Sequence, residues 1–359
     1  MLKLAKSLAA FLCVFVMIVA TLTTTATAQR AGRTAAPSAT LYDNGSLATG
    51  ATSRSGVAAP AGTQWSELQS DVGNTTESNT TLGVGCQVVG TTFNRCADNF
   101  VIPVGQTWTV DGIIVFAYQT GFAGTTSPVV GVNFQIWNGV PGAVGSTVVF
   151  GNTTTNRLAS STNASLFRTG NTTVPAPATP GTTRAIWQVN GTVSPAQLLT
   201  PGTYWLDFQI DAGATGNFAP PNTVVGARTQ PGWDARQFTT ASGAWAALID
   251  TGIPTTAPDV AVDFPFKITG SITTAAGVNI SGRVLSSDGG RGLTGAVVRL
   301  TDQNGSIRSV VTGRLGSFTF SDVEPGQTYV VSVASRRFSF APRVIQVVDN
   351  VADLEFLPE

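Results

Sequence analysis

The segment Pro201-Gly202-Thr203-Tyr204-Trp205-Leu206-Asp207-Phe208-Gln209-Ile210 carries two signals side by side. Proline fixes φ and the following glycine supplies φ > 0, the pairing a type II turn needs. The residues after it alternate. Tyr204, Leu206, Phe208 and Ile210 fall on one face of a strand and Trp205, Asp207 and Gln209 on the other, because successive side chains point to opposite sides. Working outward, the same grammar recurs at Trp108–Tyr118, Val132–Trp137, Ser146–Phe150 and Arg184–Val189, with Asn138-Gly139 and Pro141-Gly142 as breakers. Over Val260–Ile268 the apolar face is Val260, Val262, Phe264, Phe266 and Ile268, with Asp263 and Lys267 on the solvent side. No helical periodicity lasts beyond two turns, so residues 62–268 are expected to form a jelly-roll-like β-sandwich.

The chain of 359 residues carries 20 Lys and Arg against 20 Asp and Glu, and no histidine. Without a cationic surplus, nucleic acid and anionic membrane surfaces are not expected partners. Without histidine there is no Ser-His-Asp or Cys-His pair and no imidazole-bound zinc. Residues 1–28 have Lys3 and Lys6, an apolar run from Leu8 to Leu22 and the exit Ala26-Thr27-Ala28, the layout of a signal peptide cleaved before Gln29. That run is shorter than the ~20 residues of a spanning helix, so the mature chain is expected to be secreted (extracellular, cell surface or periplasm), without membrane insertion. Cys13 leaves with the signal. Cys86 and Cys96 remain, an even number in an oxidising compartment, and are expected to form a disulfide; no further ligands complete a metal site around them.

Residues 29–61 are rich in Ala, Thr, Ser and Gly and read as a flexible leader, except for a short strand at Leu41-Tyr42 before the turn Asp43-Asn44-Gly45. The polar tract 73–81 reads the same way. Asn-x-Thr/Ser triplets occur there and at Asn152, Asn163, Asn171 and Asn190; they read as glycosylation acceptors or as coincidences of composition. Residues 269–278, rich in Thr, Ala, Gly and Ser and free of charge, read as a linker. Beyond it, 279–359 is expected to be a second all-β unit, with strands at Asn279–Leu285, Ala296–Thr301, Ile307–Thr312, Ser317–Phe320, Thr328–Ala334, Arg343–Val348 and Asp353–Phe356, and a hairpin at Asn304-Gly305.

Ile280-Ser281-Gly282-Arg283-Val284, Gly295–Leu300, Gly316–Phe320, Val323-x-Pro325-Gly326-x-x-Tyr329 and Val331-x-Val333 together resemble the carboxypeptidase regulatory-like domain. The resemblance implies a seven-stranded, prealbumin-type sandwich, an accessory unit of exported bacterial proteins with no catalytic residues to carry over. It also implies a structural grouping with sandwiches that bind carbohydrate. Thr312-Gly313 stands where that family commonly has Thr-Asp. The first unit, with Ala97-Asp98-x-Phe100-x-x-Pro103-x-Gly105-x-x-Trp108, Tyr118–Gly121 and Gly202–Asp207, is similar to β-domains of secreted bacterial proteins that have no assigned activity.

All seven Trp lie in the first unit. Trp137 and Trp205 share polar faces with Asn133, Gln135, Asp207 and Gln209, an arrangement that suits a sugar ring's apolar faces and hydroxyl rim; the alternative is packing under a loop. Trp108 and Trp187 are in phase with core residues. Glycosidase chemistry would need a carboxylate pair, and Glu67, Glu77, Asp98, Asp111, Asp207, Asp234, Asp250 and Asp263 form no local motif; most read as turn or solvent-side residues. Asp43-Asn44-Gly45 and Asp98-Asn99 offer oxygens to Ca²⁺, but ordinary turn chemistry explains them and no metal site is expected. No glycine run forms a phosphate loop, and no cofactor is expected. The reading is an exported, non-catalytic structural or protein-interaction module whose partners are glycans or another surface protein, with glycan binding through Trp137 and Trp205 as the second reading and a carboxylate-based hydrolase as the third.

Overall fold

The computed structural model of the protein describes residues 38–274, 277–287 and 290–359, and there is no helix among them. The signal peptide and residues 29–37 of the leader lie outside the described residues.

Residues 38–274 build two principal sheets around one core. The first runs in the order Ala39–Asp43, Phe266–Thr274, Gln106–Gln119, Ala185–Leu199, Leu158–Thr169, Gln64–Glu67. The second runs Ala244–Ala247, Arg236–Thr239, Arg95–Ile102, Gly202–Asp211, Gly131–Trp137, Val148–Gly151. Gly202–Asp211 occupies a central position, so Leu206, Phe208 and Ile210 are buried on its inner face, as the alternation predicts. Across the core they meet Val110, Ile113, Val115, Val189, Phe266 and Ile268 of the first sheet. The sheets approach closely at Gly191, where a Cβ would stand 2.1 Å from the Phe134 ring. Each fully buried large apolar side chain contributes about 1.5–3 kcal/mol, and this face-to-face layer is the main source of stability.

Four expectations are corrected. Val260–Ile268 is not one strand: Val260–Ala261 and Phe266–Thr274 are separate, because Pro265 has no N–H and Asp263 is pulled inward to accept the N–H groups of Asp234 (2.8 Å) and Ala235 (3.3 Å). The linker reading fails over residues 269–274, which pair with Gln106–Gln119 through a register shift at Thr269/Gly270, while Thr269 and Gly270 also pair with Thr40 and Ala39. The leader from residue 38 on is docked. Ala39–Asp43 is an edge strand, and Leu47 packs with Tyr118 and Ile186 on the outer face of the first sheet. Residues 73–81 are also ordered by bonds, since Asp250 accepts the N–H groups of Thr80 and Thr81 and Ser78 exchanges backbone bonds with Ile253.

The Asn-x-Thr/Ser triplets have a structural role that composition does not suggest. The side-chain Oδ1 of Asn74, Asn152, Asn163 and Asn171 each accepts the N–H two residues on, and in three of them the Thr Oγ1 as well. They are Asx turns, which order polar chain without apolar burial.

Cys86 and Cys96 are joined and fully buried. The short closed loop restricts the unfolded chain by roughly 3 kcal/mol in the chain-entropy model. Replacing both by Ser is expected to lower unfolding free energy by about 2–3 kcal/mol in urea titration, and an unchanged midpoint would contradict it.

The described residues of 277–359 hold seven strands in two sheets: Ser317–Val323, Val278–Val284, Val351–Phe356, and Ile307–Val311, Val297–Thr301, Gln327–Ala334, Arg343–Val347. Their core is separate and includes Ile280, Val298, Leu300, Phe318, Phe320, Val331 and Phe356. All seven expected strands are present with small shifts at their ends. Thr312 is buried, its hydroxyl donating to the Leu293 carbonyl at 2.5 Å and accepting the Ala296 N–H at 3.0 Å.

Candidate functional site

The antiparallel register places Trp205 opposite Trp137, Asp207 opposite Gln135 and Gln209 opposite Asn133. All six residues therefore share the outer face of the second sheet, as the sequence predicts. The face is closed over Trp205, Asp207 and Gln209, while Trp137, Asn133 and Gln135 are half-buried. Trp205 is 3% exposed, and Asp207 and Gln209 are each 1% exposed. Asp207 Oδ1 accepts Arg95 Nε at 2.8 Å, its Oδ2 accepts the indole N–H of Trp137 at 3.0 Å, and the Arg95 guanidinium forms an ion pair with the same carboxylate. Arg95 also donates to Gln135, Asn133 donates to the Thr153 carbonyl, and Gln209 donates to the Asn94 carbonyl at 3.4 Å.

Burial lowers Arg95 to about 10, so it stays charged at neutral pH. The charge of Asp207 is thus spent on an internal cation. Arg95–Ile102 carries no clear alternation in the sequence, so neither the strand nor this ion pair is legible there. Asp207→Ala is expected to cost about 3–5 kcal/mol by leaving the Arg95 charge unpaired. A fall below 1 kcal/mol in chemical denaturation would show that the pair is solvated.

A second constellation was not foreseen. Asp98, Asp234 and Asp263, from three separate segments, bring carboxylate oxygens within 4.8 Å of one another. Asp98 points to the core side, opposite Leu206, and is 1% exposed. Its Oδ2 accepts Phe264 N–H (2.6 Å) and Asn44 Nδ2 (2.9 Å), and its Oδ1 accepts Asn99 N–H (2.7 Å). Asp234, exposed at the mouth, accepts Asn99 Nδ2 at 2.6 Å.

Burial, reinforced by the charge of Asp263, pushes Asp98 well above the usual carboxylate range. Burial also lifts Asp263 to about 6, against the backbone N–H groups that hold it down. Asp234 is raised by burial and partly restrained by Arg236. Three such oxygens are a donor set that a hard cation accepts, and a pair of carboxylates this close shares protons. In this chain the lone pairs of Asp98 and Asp263 are taken up by N–H groups of Asn99, Phe264, Asp234 and Ala235. The hollows of about 370, 690 and 340 Å³ on the surface are lined by other residues. The cluster ties the Asn44 turn, the Arg95–Ile102 strand and the segment before Phe266 together. The two calcium candidates are merged by it only in part, because Asp43 pairs with Lys267 at 2.6 Å while the Asn44 amide joins Asp98.

Other charged groups are also buried, including Glu67 and Asp250, which the sequence places in the leader or on turns. Glu67 Oε1 accepts the N–H and hydroxyl of Thr172, and its Oε2 accepts the Arg54 N–H. Asp250 accepts three backbone N–H groups and lies 3.8 Å from Arg228. Arg168, fully enclosed, donates to the carbonyls of Leu82 (2.7 Å) and Thr81 (3.3 Å) and to the hydroxyls of Ser66 (2.9 Å) and Thr223 (2.6 Å).

No curated protein matches the chain. Among solved structures, the group B streptococcus pilus 2b backbone protein is 8% identical over 79% of this chain and 97% of its own, with a TM-score of 0.19. The major pilin subunit of Bacillus cereus is 11% identical over 82% and 67%, at 0.21. The shaft pilin of Lactobacillus rhamnosus GG is 12% identical over 70% and 98%, also at 0.21. At such TM-scores the whole chains do not superpose, and the likeness carries no argument about this protein. Residues 279–356 match the family model of the carboxypeptidase regulatory-like domain, the family that the motifs between Ile280 and Val333 resemble.

Proposed function

We propose that the protein is an exported, non-catalytic β-sandwich module that works by structural or protein–protein interaction outside the cytoplasm. The observation that carries this reading is the state of Asp207: the carboxylate on the tryptophan face is 1% exposed and bonded to both Arg95 and Trp137. A carboxylate so engaged is a packing element, unable to take a proton from a ligand without losing its partners. The accessory type of the second sandwich supports the same reading, as does the absence of histidine from the sequence. In this account residues 1–28 are a removed signal and the two sandwiches, 38–274 and 277–359, are the working parts.

Glycan binding through Trp205 gains no support from a ring that is 3% exposed. The test is fractionation of the producing cells with N-terminal sequencing and cross-linking. The reading expects a mature chain beginning at Gln29, found in the envelope or medium and cross-linked to other exported proteins. An intact Met1 in the cytoplasm, or turnover of a glycoside or ester by the purified chain, would contradict it.

A further inference from the structure

The outer face of the second sheet continues past Arg95 to an edge that is open. Register places Arg236 opposite Ala97 and Ala247, Phe238 opposite Arg95, and Trp245 opposite Phe238. These side chains therefore share the face of Asp207 and Trp137. Between Trp245, Arg236 and the Val140–Ala143 turn lies a cleft of about 340 Å³. That is within the range of small-ligand sites.

Three features give the cleft its chemistry. First, the Arg236 guanidinium makes no ion pair or hydrogen bond among the described residues, and its Nε is buried without a partner. The buried Nε is out of a ligand's reach, but the rest of the guanidinium lines the cleft as a cation without an ion-pair partner among the described residues, which an anionic acceptor would satisfy. Its charge acts on the Asp234 carboxylate, but that group is bonded to Asn99 and forms no ion pair with Arg236 among the described residues. Arg95, by contrast, is fully spent on Asp207 and Gln135 and lies 5.4 Å over the Trp245 ring. Second, no acidic side chain lines the cleft. Third, the indole of Trp245 is a half-buried wall of the cleft, held by Gly142, whose φ of 78° and lack of a Cβ let the turn pack against the edge of the ring at Cδ1. An indole offers its apolar surface to the C–H groups of a sugar ring while the neighbouring cation takes a charged substituent.

We propose that this cleft binds a carboxylate-bearing sugar unit of an acidic polysaccharide, with Arg236 on the carboxylate and Trp245 against the ring. The site adds a ligand to the interaction module proposed above and rests on that reading only for the exported compartment. Binding by the purified chain is read independently of where the cell places it.

The experiment is calorimetric and tryptophan-fluorescence titration of the purified chain, its Cys86–Cys96 bridge intact. The probes are an oligogalacturonate, a neutral dextrin of equal length and poly-glutamate. The oligogalacturonate is expected to bind, weaken with added salt, and lose at least tenfold in affinity in Arg236→Gln and in Trp245→Ala, with the dextrin at least tenfold weaker than the uronate. Arg236→Lys, which keeps the charge and loses the planar fork, is expected to fall between, and it serves if Arg236→Gln does not fold. No binding of the uronate at millimolar concentration, equal binding by the variants, or tighter binding of poly-glutamate would each overturn the proposal, the last pointing to an acidic peptide.

Discussion

Arg168→Met is expected to lower the melting temperature by roughly 10 °C. The guanidinium is enclosed by Ser66, Thr81, Leu82 and Thr223, and its removal leaves two carbonyls and two hydroxyls without that donor in a buried site. Loss of a buried charge that satisfies several partners costs about 3–5 kcal/mol, and a domain of this size shifts by about 2–4 °C per kcal/mol. Burial lowers Arg168 to about 10, so the residue is still a cation at neutral pH. Arg337→Met, on the exposed surface of the second sandwich, serves as the control and is expected within about 0.5 kcal/mol of wild type. Calorimetric scans of both variants decide it, and a shift below 2 °C for Arg168→Met would mean that water replaces the guanidinium.

Stability is expected to fall as pH rises from 4 to 8. Asp263 has its folded value raised from 3.8 to about 6, so the folded state holds the proton more tightly than the unfolded chain. The resulting stabilisation is complete below about pH 4, and it is lost as pH climbs through 6. For a shift of this size the change approaches 3 kcal/mol at most, and Asp98 acts in the same direction. Asp263→Asn keeps an oxygen for the N–H groups of Asp234 and Ala235 and removes the titration. It is expected to match wild type at pH 4 and exceed it at pH 8. Urea unfolding across that range reads the sign directly, and a wild-type stability that increases towards pH 8 would refute the assignment.

These two sites also show where sequence reading runs out. The strands around Gly202–Asp211 and the seven of the second sandwich were legible because alternation and turn residues agree there. Arg168, Glu67, Asp98 and Asp250 were not, since each is held by backbone groups from distant segments, and nothing in their local sequence records that. The stretch from residue 38 to 61 and the tract 73–81 looked unable to fold because their composition offers little apolar surface. They are held instead by Asx turns such as Asn74 to Thr76, by Leu47 against Tyr118, and by carboxylates that accept their N–H groups. The polar face of Trp137 and Trp205 was placed correctly as a face. Its closure depends on Arg95, a residue on a neighbouring strand that period-two counting along Gly202–Asp211 cannot register.

Hydroxyl-radical footprinting of the native protein, read residue by residue by mass spectrometry, addresses the burial of Trp205 under that face most directly. Trp205 is expected to resist oxidation while Trp233 and Trp245, both only partly buried, are modified. Oxidation of Trp205 at the rate of Trp233 would mean that the sheet presents an open aromatic platform, and the packing account would be wrong.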